Sequence, residues 1–591
     1  MKFIFSYLKK YRKMIAFVVT IKMSAAVGEL LLPYVLEHLI DDVVPAQNVG
    51  LVFVWGAAMV LLALYVRQAN VRANRLSVKV AKESTYEIRR DLFWKSVNLS
   101  GDQTDEFGLP SLNSRMTSDS YNLQSFIQSI QAVGIRAPMM LLGGIFITLT
   151  MDLGLAAILC VMAPVMIAAV VFVSMKGIPL YENVQRSVDE IVRIMRENIT
   201  GIRVVKALSK EDYEIRRFEE ANRRMAGRDV KAGIIMALPG PIMTFMLNMG
   251  LTIVVLLGAF RVNEGVTRPG VILAFLTYFN MILMGVMGLN RIFMLMSKAN
   301  ASANRIAAVV EAKEEPVPIA EEEAAVTDRE GYIVFDHVTF SYGRKGDAGE
   351  DGDGSCREKF DGSERQKCLK DIDFTVKKGG SLGIIGATGC GKTTIINLLM
   401  RFYDADCGNI FVGGRDVRTY EKDELHRLFG VVFQNDVIFA DSLKENISFG
   451  RDISEEEMES AAADAMAEEF IGEYEDAYEY RAVVHGANLS GGQRQRVLIA
   501  RALAASPEIL VLDDSSSALD YKTDALLRKA IREHHAAATT IIVAQRISSI
   551  KGLDDIIVLD EGRMIGHGTH EELMESCGMY QEIYRTQMGE T

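Results

Sequence analysis

The stretch SLGIIGATGCGKTT, Ser381 to Thr394, carries residues whose types and spacing suit phosphate chemistry. Its β-branched start reads as a strand and its end as the opening of a helix. Gly386, Gly391, Lys392 and Thr393 fit the spacing G-x-x-x-x-G-K-[ST]. Glycines in such a loop let backbone N–H groups close on phosphate oxygens, the lysine reaches the outer phosphates, and the threonine hydroxyl ligates Mg2+. The expected nucleotide cradle is therefore Gly386, Thr388, Gly389, Cys390, Gly391, Lys392, Thr393 and Thr394. Further along, PEILVLDD (507–514) offers Ile509 to Leu512 as a buried strand running into two aspartates. Asp513, at the strand end, is placed to hold Mg2+ as the corresponding aspartate of P-loop enzymes does. ATP and Mg2+ are the cofactors this pattern predicts.

Positioning those residues takes only part of the chain. At 591 residues the protein is too long for one hydrophobic core, and 49% hydrophobic content combined with a net charge of -12 requires apolar and charged residues to be segregated. Long uncharged runs fall almost entirely before residue 300: Leu153–Met175, Ala232–Phe260 and Gly270–Asn290 are each long enough to span a bilayer, which takes about 20 residues. Met14–Leu36, Leu51–Val66 and Ala137–Met151 are weaker candidates and bring the expected spans to six. Lys2, Lys9, Lys10, Arg12 and Lys13 precede the first span, whereas Glu37, Asp41 and Asp42 follow it without a nearby Lys or Arg. This bias predicts cytoplasmic N- and C-termini for an integral, multi-pass plasma (inner) membrane protein. No short apolar segment followed by a small-residue cleavage site suggests a removed signal peptide.

Between the spans, Arg67–Gln131 and Lys176–Lys231 are long, charged and helical in pattern, as span helices continuing into the cytoplasm would be. GLPSLNSRMTSD (108–119) and ENITGIRVVKAL (197–208) interrupt them and predict turns at the far tips. The boundaries expected are a transmembrane domain over 1–310, an acidic linker over 311–330 acting as a tether, and a nucleotide-binding domain over 331–591 with a Gly- and Asp-rich insertion at 343–367. The six cysteines lack metal-ligand spacing, and five lie in the second half, so neither zinc nor a structural disulfide is expected.

NLSGGQRQRVLIARAL (488–503) makes a family resemblance specific. Its LSGGQ, with Ser490, Gly491, Gly492 and Gln493, resembles the signature of ATP-binding cassette (ABC) proteins. Tyr342 in VTFSYG resembles the aromatic that stacks on adenine, Gln434 in GVVFQND the Q-loop glutamine that serves metal and catalysis, and SALD, ending at Asp520, the D-loop. Six spans ahead of one cassette resemble the half-transporter of ABC exporters. The fold implied is a membrane all-α six-helix transmembrane domain with long cytoplasmic extensions, followed by an α/β P-loop nucleotide-binding domain. The resemblance further implies coupling helices at the two tips and a second ABC half-transporter chain, because each ATP lies between one P-loop and the other chain's signature.

Two positions depart from that family pattern. Asp514 stands where the family has a water-polarising glutamate, and Gln545, in TTIIVAQRISSI, where it has a switch histidine. Losing one methylene withdraws a carboxylate by about 1.5 Å, and misplacement by about 1 Å can cost on the order of a hundredfold in rate. A glutamine still hydrogen-bonds phosphate but cannot exchange a proton as histidine does. Val484, in RAVVHGANLSGGQ, falls about where exporters carry an acidic residue. The pattern resembles the degenerate-site subunit of heterodimeric multidrug or lipid exporters, in which ATP binding persists and the LSGGQ completes the partner's hydrolytic site. A slowly hydrolysing homodimer and an ATP-gated membrane regulator that does not pump are the alternatives. A soluble DNA-acting ATPase is excluded by the spans, and no nucleic-acid partner is expected.

For the substrate, Met236, Met243, Met246, Met249, Met281, Met284, Met287 and Met294 with Phe245, Phe275, Tyr278 and Phe279 suit a pocket for hydrophobic or amphipathic molecules, membrane lipids included. Packing between helices and against lipid is the plainer use of the same residues. Lys22, Glu29 and Arg136 are ionisable groups in spans, placed either to line a pathway or to pair with neighbouring helices.

Overall fold

In a computed structural model, residues 1–313, 317–343, 367–515 and 518–588 are described. Ser517 and nearly all of the expected insertion lie outside them. The chain divides into two compact units, Met1–Val97 with Pro110–Ala312, and Asn98–Leu109 with Lys313–Thr591.

Among the described residues, the first unit contains six helical stretches long and apolar enough to cross a membrane. Its principal span helices are Arg12–His38, Val49–Val97, Arg136–Met151, Leu153–Thr200, Pro239–Asn263 and Pro269–Val310, numbered here as spans 1 to 6. Glycines let helices approach closely where lipid supplies no hydrophobic drive for them to associate. A Cβ on Gly285 of span 6 would lie 2.8 Å from the Ala137 carbonyl oxygen, and one on Gly250 of span 5 would collide with the Phe279 ring. The aromatic and Met cluster divides between two environments. Phe275, Tyr278, Phe279 and Met243 are buried as packing residues, whereas Phe245, Met284 and Met287 are exposed. Asp152 caps span 4 through the Gly154 and Leu155 amides, accepts from Thr267 at 2.8 Å and pairs with Arg261 at 3.2 Å, which ties the turn between spans 3 and 4 to the end of span 5 and the turn after it.

Two sheets organise the second unit. Strands β1 (Ile333–Phe340), β2 (Leu369–Val376), β4 (Cys407–Val412) and β5 (Arg415–Asp416) form one, in the order β2-β1-β4-β5 with antiparallel pairing. The other has the order β10-β9-β3-β8-β7-β6, from β3 (Ser381–Gly386), β6 (Phe429–Val432), β7 (Ile509–Asp513), β8 (Thr539–Val543), β9 (Asp555–Asp560) and β10 (Arg563–Gly568). All its pairings are parallel except that of β10 with β9. Every residue of β7 and β8 is buried, as the uninterrupted Ile, Val and Leu runs require of strands covered on both faces.

Three sequence expectations need correction. The turn at the first tip falls at Asn98–Gly108. A short helix, Gly101–Phe107, opens on a Ser100/Gln103 capping box and ends at Gly108 with φ +70°, while Leu109–Ser114 within the expected turn is already helical. The linker is anchored: the Val317 carbonyl accepts from Arg401 at 2.9 Å, Ile319 N–H donates to the Arg418 carbonyl at 2.9 Å and Ala325 N–H to Asp416 at 3.3 Å. Backbone groups of this Ala- and Pro-containing segment find fixed partners around β5, which composition does not reveal. Cys407 is disulfide-bonded, whereas Cys160, Cys368, Cys390 and Cys577 are free.

Candidate functional site

The C-terminal ends of β3 and β7, neighbours of the central strand β8, bring the phosphate loop and the two aspartates together. Ligands of open parallel sheets bind at this edge. Gly389 and Gly391 have φ of +85° and +101°, a conformation that side chains with a Cβ disfavour, and Gly391 caps the helix Lys392–Leu399. Lys392 Nζ donates to the carbonyls of Gly386 at 2.9 Å and Ala387 at 2.8 Å, so the cation lies folded over its own loop. Behind it, Thr394 and Cys390 are buried and support the loop.

Thr393 Oγ1 donates to Asp513 Oδ2 at 2.8 Å. Two hard oxygen donors from different elements thus adjoin, as octahedral Mg2+ coordination uses them, and the pair fits that ion. Burial pushes the Asp513 carboxyl above the usual range, and the Asp514 charge adds to the effect.

Asp514 leaves β7 with φ +49°, its N–H donating to the Val543 carbonyl at 2.9 Å. Its Oδ2 accepts from Gln545 Nε2 at 2.8 Å, so the two departures from the family pattern are bonded to each other. Burial raises the Asp514 carboxyl, while the Lys392 charge and the Gln545 amide oppose the rise. Sequence reasoning missed the next contact. Gln587, in the C-terminal helix Gly578–Met588, accepts from Ile547 N–H at 2.8 Å and donates to the Gln545 carbonyl at 2.7 Å, clasping the switch segment on both sides.

Tyr342 is 41% exposed, with its hydroxyl 3.1 Å from Thr394 Oγ1 and its ring edge-on to Tyr403 at 5.2 Å. Tyr342 thus stands partly exposed beside the phosphate loop. Tyr403 continues outward: its hydroxyl donates to Asp105 at 2.8 Å, and its ring lies where a Cβ on Gly101 would stand 2.6 Å away. The Gly101–Phe107 helix is thereby seated within the nucleotide-binding unit.

The remaining predicted residues stand apart from this hydrogen-bonded group among the described residues. Gln434 is exposed in the turn after β6. Ser490 caps the helix Gly491–Leu503 in a reciprocal box with Gln493, leaving Gly491 and Gly492 at an accessible helix start. Asp520 caps the helix Tyr521–His534 through the Lys522 and Thr523 amides. Val484 is exposed beside His485, whose φ is +59°.

Fold and site together define a membrane protein with a P-loop nucleotide-binding domain. Residues 15–287 match the ABC transporter transmembrane region family, and residues 369–517 the ABC transporter family. An uncharacterized ABC transporter ATP-binding protein of Bacillus subtilis, YfiB, is 31% identical over 586 residues, covering 99% of this chain and 98% of its own. Another, from Mycobacterium tuberculosis, is 30% identical over 588 residues, with 98% and 97% covered. The solved structure of a bacterial Atm1-family ABC exporter with ATP bound has the same fold, at a TM-score of 0.80 and 23% identity, with 98% of this chain and 99% of that chain covered. The chain belongs to the ABC transporter family, as an ATP-binding, membrane-integral half-transporter.

Proposed function

We propose that this chain is the degenerate-site half of a heterodimeric ABC exporter that moves amphipathic small molecules or lipids across the plasma (inner) membrane, with both termini cytoplasmic. The observation that carries the reading is the Asp514–Gln545 pair. The carboxylate is one methylene short of a glutamate's reach, and its Oδ2 accepts from an amide that cannot take up a proton. Nucleotide binding needs neither group. Lys392, the glycine loop and Tyr342 hold ATP, and Thr393, Asp513 and Gln434 hold Mg2+. Mg2+ held by these residues would supply positive charge to offset that of the phosphates.

The exposed helix start at Ser490–Gly492 is offered to the partner's P-loop, where hydrolysis takes place. Docking follows the same division. The first tip helix is seated on this chain's own cassette by Tyr403 and Asp105, whereas the second, Ile202–Ala207, has no buried residue and leaves Ile202, Val204 and Leu208 exposed for the partner's cassette. ATP binding closes the two cassettes, the tips transmit closure to the spans, and hydrolysis at the partner-based site resets them.

ATP turnover by the purified chain in lipid, compared with that of the Asp514→Glu, Gln545→His double variant, tests this reading. Low turnover in the wild type and at least about tenfold more in the double variant is the expected result, since about 1.4 kcal/mol off a barrier gives a factor of ten. Wild-type turnover equal to the variant's would replace the heterodimer with a self-sufficient homodimer.

A further inference from the structure

The first 13 residues hold five cations, Lys2, Lys9, Lys10, Arg12 and Lys13, and no carboxylate. A helix, Lys2–Leu8, and a single turn, Lys9–Tyr11, precede span 1, which starts at Arg12. Span 1 rises about 40 Å over its 27 residues, more than the about 30 Å of a hydrocarbon core. Charges are costly inside that core, so the cationic segment before span 1 belongs at its edge, among the headgroups. One side of the segment is committed to the protein. Phe3 and Ile4 are buried, and the helix packs on spans 2 and 6. Tyr7 donates to Asp91 of span 2 at 2.9 Å and Tyr11 to Glu87 at 3.0 Å, Lys10 pairs with Glu87, and the N-terminal amine donates to Asn300 of span 6 at 3.1 Å.

The other side faces outward. Lys2, Lys9, Arg12 and Lys13 are exposed and make no hydrogen bond or ion pair among the described residues. Phe5, 60% exposed, stands one turn from both Lys2 and Lys9. Phe17, 58% exposed, follows Lys13 by four residues and so shares its face of span 1. Cations beside exposed aromatic rings make an interfacial anchor, the rings entering the boundary between headgroups and acyl chains and the charges meeting anionic headgroups. The excess charge is confined to this end of the bundle, because residues 39–66, around the opposite ends of spans 1 and 2, contain no Lys or Arg.

We propose that the outward side of residues 2–17 binds anionic phospholipid headgroups of the surrounding bilayer through Lys2, Lys9, Arg12 and Lys13, with Phe5 and Phe17 among the acyl chains. Because the same segment straps span 2 to span 6, lipid held there fixes this end of the bundle to the membrane surface. The site rests on membrane integration alone and not on the export reading above. The test uses the full-length chain with its two native tryptophans removed (Trp55→Phe, Trp94→Phe) and one fluorophore added by Phe5→Trp. Nanodiscs contain equal phosphatidylglycerol and phosphatidylcholine, with bromine on the acyl chains of one lipid or the other. Brominated phosphatidylglycerol should quench about fivefold more strongly, the weight of one cation near an anionic surface. With the fluorophore moved to Phe53→Trp, an exposed position inside the stretch without Lys or Arg, the two lipids should quench equally. Lys9→Gln with Lys13→Gln should at least halve the preference at Phe5→Trp while keeping Lys2, Lys10 and Arg12 for insertion, and 1 M salt should suppress it without any change to the cations. The wild-type chain supplies a second readout that needs no substitution of tryptophan: its thermal midpoint should rise as phosphatidylglycerol replaces phosphatidylcholine, and the Lys9→Gln, Lys13→Gln variant should show a smaller rise. Equal quenching by the two lipids at Phe5→Trp, the same preference at Phe5→Trp and Phe53→Trp, or a preference and midpoint rise indifferent to Lys9→Gln with Lys13→Gln would overturn the proposal.

Discussion

Within a few ångströms the nucleotide site contains two regions built to different standards. In the phosphate cradle, Lys392, Thr393 and Asp513 match the chemistry of their positions, and Thr393 and Asp513 share a hydrogen bond that places the two proposed Mg2+ ligands together. In the hydrolytic region next to it, Asp514 and Gln545 both depart from the family pattern, and their functional groups bond each other. Loss of fold does not explain the difference, because β7 is buried throughout and the switch segment is clasped by Gln587. On the function proposed above, binding and hydrolysis are separable properties of this site: one depends on a loop and a strand end, the other on the reach and proton exchange of two side chains.

The largest expected effect breaks the intact side of that comparison. Asp513→Asn removes a charged Mg2+ ligand and should lower affinity for Mg2+-ATP by about a hundredfold, measured by equilibrium nucleotide binding, with far less change for ATP in chelator. A smaller effect sharpens the other side. Gln587→Ala removes two hydrogen bonds worth about 1 kcal/mol each, and in the Asp514→Glu, Gln545→His background it should cut turnover several-fold while leaving the ATP dissociation constant unchanged. A matching loss of ATP affinity would show that the clasp supports the whole cassette and not the switch segment in particular.

The smallest effect concerns pH, away from the nucleotide. His534 pairs with the buried Asp464, and that bond holds the imidazole above its ordinary value. A raised folded-state value means that the stabilisation is complete below about pH 6.5, the unfolded value, and is lost as pH rises through the folded one. The thermal midpoint difference between wild type and His534→Gln should therefore shrink as pH rises above about 6.5. A difference independent of pH would assign the contact to packing.

The sequence disclosed the parts of this architecture whose causes are local. Gly386 to Thr394 announce a phosphate loop because the loop's own glycines and lysine make it. The Ile and Val runs of β7 and β8 announce buried parallel strands, and the apolar runs announce the spans. Contacts between distant segments were not legible. Gln587 is an ordinary amide in a C-terminal helix until folding brings it to Ile547, and Tyr403 meets Asp105 across 298 positions. The first tip was misplaced because Gly108 and Pro110 look like the centre of a turn, whereas the Ser100/Gln103 capping box starts a helix before them. The linker read as a tether because its acidic and Pro-containing composition says nothing of Arg401 and Arg418, which fix its backbone. Lys22, Glu29 and Arg136 were recognisable as unusual, but only the folded chain links them through Asn70.

The central claim is that the site on this chain's own P-loop holds ATP without consuming it. The most direct measurement is the identity of the nucleotide recovered from the purified chain after incubation with Mg2+-ATP and removal of free ligand. Bound nucleotide recovered as ATP over many minutes is the result predicted by the Asp514–Gln545 pair. Recovery as ADP, at the rate seen with the Asp514→Glu, Gln545→His variant, would contradict it.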